Sequence, residues 1–273
     1  MPTLAQNLEA WNDGYLWPQE GDEWSAQFGG TEAMWWFLLY PRIHRFLPAA
    51  TILEVAPGRG RWTQFLRAHC QSMIAVDISK KCIEHCRVRF ATDQHVKFHV
   101  NDGSSLDAVP DGSIDFVFSF DSLVHAEKEV IEAYLAQLGR KLTSNGVGFV
   151  HHSNIQEYRV RLAIMNRYRR LPKVLRERVL TESHMEALLS INIAGWRAPS
   201  MTAELFRQYC DLAGLKCVSQ ELINWSRGRC LVDCISVFTR PGSRWDAENL
   251  GLRNGKFVDA ADLTRRLAQL YCR

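Results

Sequence analysis

The sequence lacks the features of disulfide-bonded, zinc-binding and membrane-spanning proteins. Its eight cysteines include no Cys-x-x-Cys pair. The pairs spaced by four, Cys82 with Cys86 and Cys230 with Cys234, are more typical of small buried side chains than of zinc ligands. No apolar run approaches the ~20 residues of a membrane span, and no signal peptide, internal repeat or low-complexity segment is recognised. We therefore expect reduced thiols in a cytoplasmic protein.

An excess of charge of one sign is also nearly absent, because 33 basic residues against 30 acidic ones leave a formal net charge of +3. This is too little to imply nucleic acid as a partner by itself, although a local basic patch can still bind an anionic substrate. Apolar residues, in contrast, make up 47% of the 273 residues. A chain of this length and composition can bury a full core and is expected to form one domain with additions.

The segment 1–50 is rich in aromatic residues and is expected to form a cap on the core. Thr31 is the predicted N-cap of a helix that runs to about Tyr40. Most of the aromatic side chains are expected to fill the join between the cap and the core. Four are kept as candidate walls of a substrate pocket: Trp24, Phe28, Trp35 and Trp36.

From residue 51 the pattern alternates between apolar strands and helices, which predicts a parallel sheet with helices on both faces. The predicted strands are 52–55, 72–76, 96–100, 114–118 and 147–150, and the predicted helices are about 62–69, 80–90 and 128–141. Each strand ends in polar or small residues. In an open α/β sheet, that carboxyl edge is where ligands bind.

The rest of the chain departs from this alternation. Residues 155–200 are predicted to be a helical insertion, and a helix is expected from Thr202 to about Ala213. Two further strands, 216–224 and 230–239, are separated by Ser226-Arg-Gly-Arg229, which has the length and glycine content of a hairpin turn. The segment 241–273 is expected to be a tail with a helix over about 259–271. The predicted fold is thus α/β, with a seven-stranded, mostly parallel sheet, a terminal antiparallel hairpin, a helical N-terminal extension and a helical insertion.

The segment 51–63 is a buried strand that turns through a glycine loop into a helix. Gly58 and Gly60 allow the backbone to approach a ligand, although such a turn also serves purely structural connections. Asp77 follows at the end of the second strand, where a carboxylate can accept hydrogen bonds from two ribose hydroxyls. The spacing between the glycine loop and Asp77 fits a nicotinamide dinucleotide equally well. Asp102 follows the third strand, and the terminal hairpin is a feature that a dinucleotide-binding fold does not require.

This arrangement resembles the class I S-adenosylmethionine-dependent methyltransferases over about residues 50–150 and 201–240. Within that region, Glu54-Val-Ala-Pro-Gly-Arg-Gly60 is similar to the family's acidic-x-Gly-x-Gly-x-Gly loop, with Ala56 in place of the first glycine. The resemblance implies S-adenosylmethionine as the cofactor and a core over residues 51–240. It also implies ribose binding by Asp77, adenine binding by Asp102, and contact of Glu54 and the Phe120 backbone with the methionine amino group. The complete implied cofactor set is Glu54, Ala56, Gly58, Gly60, Trp62, Asp77, Ile78, Asp102, Gly103, Ser104 and Phe120.

Methyl transfer to a hydroxyl requires removal of a proton, and histidine is the usual base. If residues 121–125 are helical, Asp121 and His125 share one face, and the carboxylate can orient the imidazole. His151 and His152 point to opposite sides of an extended strand, so at most one faces the ligand. His152 is slightly preferred, because the chain leaves the sheet there, and the choice among the three histidines stays open. No metal is expected, because the strand ends carry too few acids.

The insertion carries many arginines, among them Arg159 and Arg167. They form either a solvated helix face or a lid that binds a phosphate or carboxylate of the acceptor. The predicted function is methyl transfer to a hydroxyl of a small molecule, such as a glycan, a nucleotide-sugar or a secondary metabolite. The alternatives are a small-molecule N-methyltransferase, an RNA methyltransferase, and a non-catalytic regulatory protein that binds S-adenosylmethionine. Nucleic acid is not the expected partner, and a homo-oligomer stays open.

Overall fold

The structure is a computed structural model that describes residues 3–179, 181–189, 196–225 and 229–271. Its centre is one twisted sheet of eight strands. The strands are β1 (Ala49–Val55), β2 (Cys70–Asp77), β3 (Val96–Val100), β4 (Ile114–Ser119), β5 (Leu142–Ser153), β6 (Lys216–Ile223), β7 (Asp233–Thr239) and β8 (Leu250–Asn254).

The strands lie in the order β3-β2-β1-β4-β5-β7-β6-β8. All pairings are parallel except those of β7, which runs antiparallel to both β5 and β6. The antiparallel pair β6–β7 is the predicted hairpin, whereas residues 226–228 of its predicted turn lie outside the described residues. The reversal of strand order beside β1 places the carboxyl ends of β1 and β4 at a crevice, which is where open α/β sheets bind ligands.

The prediction of seven strands is wrong, because β8 adds an eighth within the predicted tail. Its five residues are Leu-Gly-Leu-Arg-Asn, and the first four are exposed. The strand therefore has no apolar alternation that a sequence pattern could reveal. The strand is held in the sheet by backbone pairing with the edge of β6. In addition, Asn254 Nδ2 donates to Glu221 Oε1 at 2.7 Å.

Helices cover both faces of the sheet and form the additions to it. They are α1 (Leu4–Glu9), α2 (Thr31–Met34), α3 (Tyr40–Ile43), α4 (Thr63–Leu66), α5 (Lys80–Arg89), α6 (Lys128–Lys141), α7 (Arg159–Arg169), α8 (Lys173–Val179), α9 (Glu182–Leu189), α10 (Ala203–Leu212) and α11 (Phe257–Tyr271). A π-helical turn over Trp35–Leu39 joins α2 to α3, and shorter 3-10 turns follow β4 and β5. Within the described residues, α7, α8 and α9 lie in the segment 155–200, and α11 lies in the segment 241–273.

Two helix starts show how the sequence fixes these elements. The hydroxyl of Ser79 accepts from the Cys82 amide at 3.2 Å and caps α5, and Thr202 caps α10 in the same way. Thr31, the predicted N-cap, is instead the first residue of α2. The glycine pair that precedes Thr31 has positive φ and turns the chain before α2 begins. The Thr31 hydroxyl donates to Asp22 Oδ1 at 2.8 Å.

Apolar side chains alternate between the two faces of the sheet, so that neighbours such as Ile52 and Leu53 enter different clusters. One cluster joins the sheet to the N-terminal extension through Trp35 and to the C-terminal helix through Phe257. The other packs the sheet against α6 and α10. No helix in the described ranges has the length and apolar character to span a membrane.

Candidate functional site

A cavity of about 410 Å³ opens at the carboxyl edge of the sheet. Every strand from β1 to β4 contributes the residues that follow it to the wall. These are Ala56 and Gly58 after β1, Asp77 and Ile78 at the end of β2, Gly103 after β3, and Phe120 and Asp121 after β4. The cavity therefore lies where the strand order predicts a ligand.

The loop after β1 exposes backbone to this cavity. Ala56 and Gly58 both have φ of 58°, a left-handed conformation that is costly for alanine, and both line the wall. Gly60 has φ of 87° but faces Phe90, whose ring would lie 2.4 Å from an added Cβ. The two glycines thus have different roles. Gly58 leaves its backbone exposed to the cavity, whereas Gly60 allows the C-terminal end of α5 to pack closely against the loop.

Asp77 holds the loop and lines the cavity at once. Its Oδ2 accepts from the Gly58 amide at 3.0 Å and its Oδ1 from the Ser79 amide at 2.7 Å. Burial raises the pKa of Asp77 to about 6, against the lowering effect of these two amides. Each carboxylate oxygen has a second lone pair, so Asp77 can still accept from two adjacent hydroxyls.

Several other residues of the predicted cofactor set lie in or near the wall. Trp62, Ile78, Gly103 and Phe120 line the cavity. Asp102 does not, because it is exposed and its Oδ1 accepts from the Ser104 and Ser105 amides at 2.8 and 2.6 Å. Asp102 and Ser104 therefore shape the turn that presents Gly103.

Glu54 lies beneath the loop and outside the cavity wall. Its Oε2 accepts from the hydroxyl of Thr63 at 2.5 Å, which ties β1 to α4. Burial, with the charge of Asp77 adding to it, raises the pKa of Glu54 to about 8. At neutral pH the group is thus mostly an uncharged brace between the strand and the helix.

The N-terminal extension closes the cavity from above with Leu4, Asn7, Trp11, Trp17 and Trp24. The ring of Trp17 covers Gly58 and would lie 2.9 Å from an added Cβ there. Farther along the wall, the ring of Trp11 lies 5.2 Å from the ring of His125, centroid to centroid.

Of the four predicted aromatic walls, Trp24 alone lines the cavity. Phe28 packs in the core against Trp225 and Phe257, and Trp35 stacks on Phe65 at 4.9 Å. Trp36 is 44% exposed on the outer side of the extension. The π-helical turn places Trp35 inward and Trp36 outward, so that neither reaches the cavity.

His125 is the histidine that lines the cavity. Its Nδ1 contacts the carbonyl oxygen of Trp196, which can only accept, so Nδ1 carries the proton and Nε2 is the acceptor. Burial and the charge of Arg197 lower the pKa of His125 to about 4, although the charge of Asp121 acts in the opposite direction. The ring is therefore neutral at pH 7.

Asp121 does not orient His125 through a hydrogen bond, contrary to the helical prediction. It has φ of 62°, and the chain forms a 3-10 turn over Leu123–His125 instead of a longer helix. Its carboxylate accepts from Arg61 Nη2 at 3.0 Å, and both groups line the cavity.

His151 and His152 are fully buried and point to opposite sides of β5, as their adjacency predicts. The slight preference for His152 is not supported by its position. Its ring stacks on Phe206 at 4.3 Å, away from the cavity, and its Nε2 contacts the Ser236 hydroxyl at 2.8 Å.

His151 lies behind Phe120 on the cavity side, and its Nδ1 accepts from the Asp121 amide at 3.2 Å. Its Nε2 faces Asp233 Oδ2 at 3.4 Å, and Arg197 also binds Asp233 with both Nε and Nη2. Burial raises the pKa of Asp233, but the charges and hydrogen bonds of Arg197 and His151 together outweigh it and hold the pKa well below the ordinary value. Asp233, flanked by His151, thus holds the side chain of Arg197 in place from the protein interior. Arg197 itself lines the cavity.

Arg159 and Arg167 are exposed on α7, and neither lines the cavity. The cationic wall residues are instead Arg61 and Arg197. Among the described residues, no group of three or more His, Cys, Asp or Glu side chains could hold a metal ion. Sequence reasoning also missed Trp11, Trp17, Trp196 and Trp225, although Arg61 was findable because it directly follows the glycine loop.

The family model described as "Methyltransferase domain" matches residues 52–146. No curated protein matches the chain in sequence. Among solved structures, a protein from Pyrococcus horikoshii is 17% identical with a TM-score of 0.53, covering 85% of this chain and 95% of the other. An S-adenosylmethionine-dependent methyltransferase from Methanosarcina mazei is 16% identical with a TM-score of 0.52, covering 74% and 98%. Another from Clostridium acetobutylicum is 14% identical with a TM-score of 0.51, covering 78% and 92%.

These structures share the fold of the chain, and the matched domain spans the strands whose ends build the cavity. The wall of that cavity combines a backbone-exposing loop after β1 with a carboxylate at the end of β2, which is the chemistry that a nucleoside cofactor requires. Residues 52–146 therefore match a methyltransferase domain, and the ends of its strands build a cavity that carries the groups a nucleoside cofactor requires.

Proposed function

We propose that the protein transfers a methyl group to a hydroxyl of a small molecule, with His125 as the general base. The observation that carries this proposal is the tautomer of His125, whose Nδ1–H is held by the Trp196 carbonyl while the ring lines the cavity. A neutral imidazole with a fixed Nδ1–H has one basic nitrogen, Nε2, which is available to an acceptor hydroxyl.

The cofactor would be held by residues after three neighbouring strands. Asp77 would accept from the ribose hydroxyls, Ile78 and Gly103 would flank the adenine, and Ala56 and Gly58 would contact it through the backbone. Glu54 and Asp102 would act indirectly, by bracing the two loops that carry Gly58 and Gly103. The geometry that supports this assignment is that Asp77, Ile78, Gly103, Ala56 and Gly58 border one cavity.

When bound, S-adenosylmethionine supplies a methyl group on a positively charged sulfur. A hydroxyl oxygen that attacks this carbon must lose its proton, and His125 Nε2 would take it. The low pKa of His125 keeps it unprotonated before the reaction. The Trp196 carbonyl and the charge of Asp121 would stabilise the imidazolium that forms, since both favour the protonated ring.

The acceptor end of the cavity has aromatic walls. Trp11, Trp24, Trp196 and Trp225 line it, with the rings of Trp11 and Trp196 6.3 Å apart. Flat apolar surfaces of this kind favour a ring-shaped acceptor, such as a sugar or an aromatic metabolite, that presents one face to indole. A glycan unit, a nucleotide-sugar or a secondary metabolite fits this chemistry.

The proposal is tested first by the variant His125→Asn. Asparagine can still donate to the Trp196 carbonyl, but it has no basic nitrogen. We expect turnover to fall by about 100- to 10,000-fold, with the affinity for S-adenosylhomocysteine within about twofold of the original protein. His184→Ala, an exposed histidine outside the cavity, is the control. Undiminished turnover by His125→Asn would exclude His125 as the base.

The acceptor class is tested by a screen with a labelled methyl donor. Glycans, nucleotide-sugars, phenols and amines are incubated with the protein, and the methylated position of each product is located by mass spectrometry. The proposal predicts oxygen-methylated products. Products methylated only on nitrogen would replace it with the amine alternative, and methylation only of RNA would replace it with the nucleic-acid alternative.

A further inference from the structure

The helical insertion concentrates positive charge in α7 and the first part of α8. Residues 159–176 contain no acidic residue, whereas the whole chain has a formal net charge of only +3. The cavity does not use this charge, because Arg159 and Arg167 lie outside its wall. The basic residues of the segment are Arg159, Arg161, Arg167, Arg169, Arg170, Lys173 and Arg176.

Contacts with α9 fix which face of α7 is turned outward. Met165 and Tyr168 are buried and cluster with Met185 of α9. Arg169 Nε donates to Glu182 Oε1 at 2.6 Å, which adds an ion pair between the same two helices. These contacts occupy one side of α7, so the residues on the opposite side of the helix remain on the surface.

Three cations project from that outer side. Arg159, Arg167 and Arg170 are exposed. None of the three forms an ion pair or a side-chain hydrogen bond with a residue that the structure describes. Arg167 and Arg170 are three residues apart on a helix, a spacing at which like charges repel. An anionic partner that neutralises this surface is therefore favoured over a cationic or neutral one.

Aliphatic side chains lie between these cations. Val160 and Ile164 are one helical turn apart, and Ile164 is three residues before Arg167, so apolar and cationic groups share the outer side of α7. Beyond α7, the connection to α8 and the start of α8 add three more. The exposed fractions of these aliphatic side chains are 66% for Val160, 46% for Ile164, 46% for Leu171, 67% for Val174 and 50% for Leu175.

This combination of side chains discriminates among anionic partners. Single-stranded nucleic acid stacks its bases on exposed aromatic rings, and protein interfaces concentrate aromatic residues at their core. Tyr168 is the one aromatic residue between positions 159 and 176, and it is buried. Arginines interleaved with exposed aliphatic side chains match the boundary between lipid headgroups and acyl chains, which presents phosphates and hydrocarbon together.

We propose that this basic aliphatic surface, formed by the outer side of α7 and the start of α8, binds an anionic lipid surface. Arg159, Arg167 and Arg170 contact the headgroup phosphates, while Val160 and Ile164 enter the boundary between headgroups and acyl chains. The interaction is independent of the reaction assigned to the cavity, because none of these residues lines it.

The test measures co-sedimentation with vesicles of phosphatidylcholine, either alone or mixed with phosphatidylglycerol in equal amounts. The original protein is expected to bind the mixed vesicles at least about tenfold more tightly than the neutral ones. The triple variant Arg159→Gln, Arg167→Gln, Arg170→Gln is expected to bind the mixed vesicles about 10- to 100-fold more weakly, since each arginine near an anionic surface contributes roughly fivefold.

A second variant separates the apolar contribution from the charge. Ile164→Ser with Leu171→Ser keeps every cation but removes two aliphatic side chains. We expect its affinity for the mixed vesicles to fall at least about fivefold, because less apolar surface is buried. A purely electrostatic interaction would leave this affinity unchanged and would overturn the assignment of a lipid boundary.

The matched control removes three cations from the C-terminal segment. Arg253→Gln, Lys256→Gln, Arg266→Gln changes the net charge equally at exposed positions, and it should bind the mixed vesicles within about threefold of the original protein, because screened charges act locally. Equal losses in the two triple variants would overturn the proposal, as would equal binding of neutral and mixed vesicles. Binding of single-stranded RNA as tight as that of mixed vesicles would replace the lipid with nucleic acid.

Discussion

Ionisation of Glu54 opposes folding, because the carboxyl group is fully buried. Its pKa is raised by burial to about 8 in the folded protein, against an ordinary value of 4.5. The folded state therefore holds this proton more tightly than the unfolded state. The stabilising contribution of the protonated form is complete below pH 4.5, and it is lost as the pH rises toward 8.

The variant Glu54→Gln removes this titration while keeping a side chain of similar shape. In the ligand-free protein, the free energy of unfolding of the variant relative to the original should increase between pH 4.5 and pH 8. The expected rise is on the order of 4 kcal/mol. Urea denaturation at several pH values measures it. Glu157→Gln, at an exposed position, is the control, and a pH-independent difference for Glu54→Gln would contradict the shifted pKa.

The same residue shows what sequence reasoning can and cannot reach. An acid at position 54 was recognisable from the pattern of the loop, but its use as a brace to Thr63 depends on the place where α4 begins. Ala56 was recognisable as a departure from glycine. Its φ of 58° shows that the backbone takes the left-handed conformation there without a glycine. Residue types at strand ends follow from the sequence, whereas hydrogen-bond partners follow from the packing.

Among the elements, the N-terminal cap formed by residues 3–48 covers one side of the cavity with Leu4, Asn7, Trp11, Trp17 and Trp24. Trp17 covers Gly58, and Asn12 Oδ1 contacts the Ser79 hydroxyl and the Lys81 amide at the start of α5. The cap therefore rests on the two loops that face the cofactor. We therefore expect release of a bound ligand to depend on these contacts.

Trp17→Ala should open the cavity above Gly58 and shorten the residence time of the ligand. We expect S-adenosylhomocysteine to dissociate at least about tenfold faster, because a large apolar cover has been removed. Stopped-flow displacement measures this rate. Trp36→Ala, an exposed tryptophan on the same extension, should leave the rate unchanged. Equal rates for Trp17→Ala and the original protein would show that the cap does not control release.

Elements whose sequences have a strong apolar pattern were predictable. Elements that form only because a neighbouring element offers a pairing edge or a packing surface were not. Strands β1, β2, β4 and β5 are largely buried, so their carboxyl ends and the candidate ligand edge follow from the sequence. β8 has no buried face and exists because β6 has a free edge. The cap residues that line the cavity, above all Trp11 and Trp17, lie in or next to irregular turns. A hydrophobic periodicity in the sequence does not predict the path of such turns.

At the scale of the whole molecule, the C-terminal helix α11 packs against the N-terminal segment between residues 22 and 39. The helix α11 packs against the cap, and Ala268 lies close enough to Gly29 to leave only 2.9 Å to an added Cβ. Phe257 contacts both Phe28 of the cap and Trp225 of the cavity wall. One aromatic side chain therefore joins the C-terminal helix, the cap and the site.

Phe257→Ala should weaken folding and ligand binding together. The ring is fully buried, and its loss is expected to reduce the free energy of unfolding by about 3–5 kcal/mol. The affinity for S-adenosylhomocysteine should also fall, because the cap and Trp225 lose a shared support. Denaturation and calorimetry measure the two effects. Leu263→Ala, at an exposed position of α11, is the control. Unchanged affinity in Phe257→Ala would show that the cap docks independently of α11.

The support of the cap by α11 has a consequence for folding during synthesis. The cap leaves the ribosome before the strands, but α11 leaves after them. The contacts between the cap and α11 therefore form only when nearly all of the described chain has been made. Until then, the cofactor loops can form while the cavity above them stays open. We therefore expect tight cofactor binding only after α11 has packed against the cap.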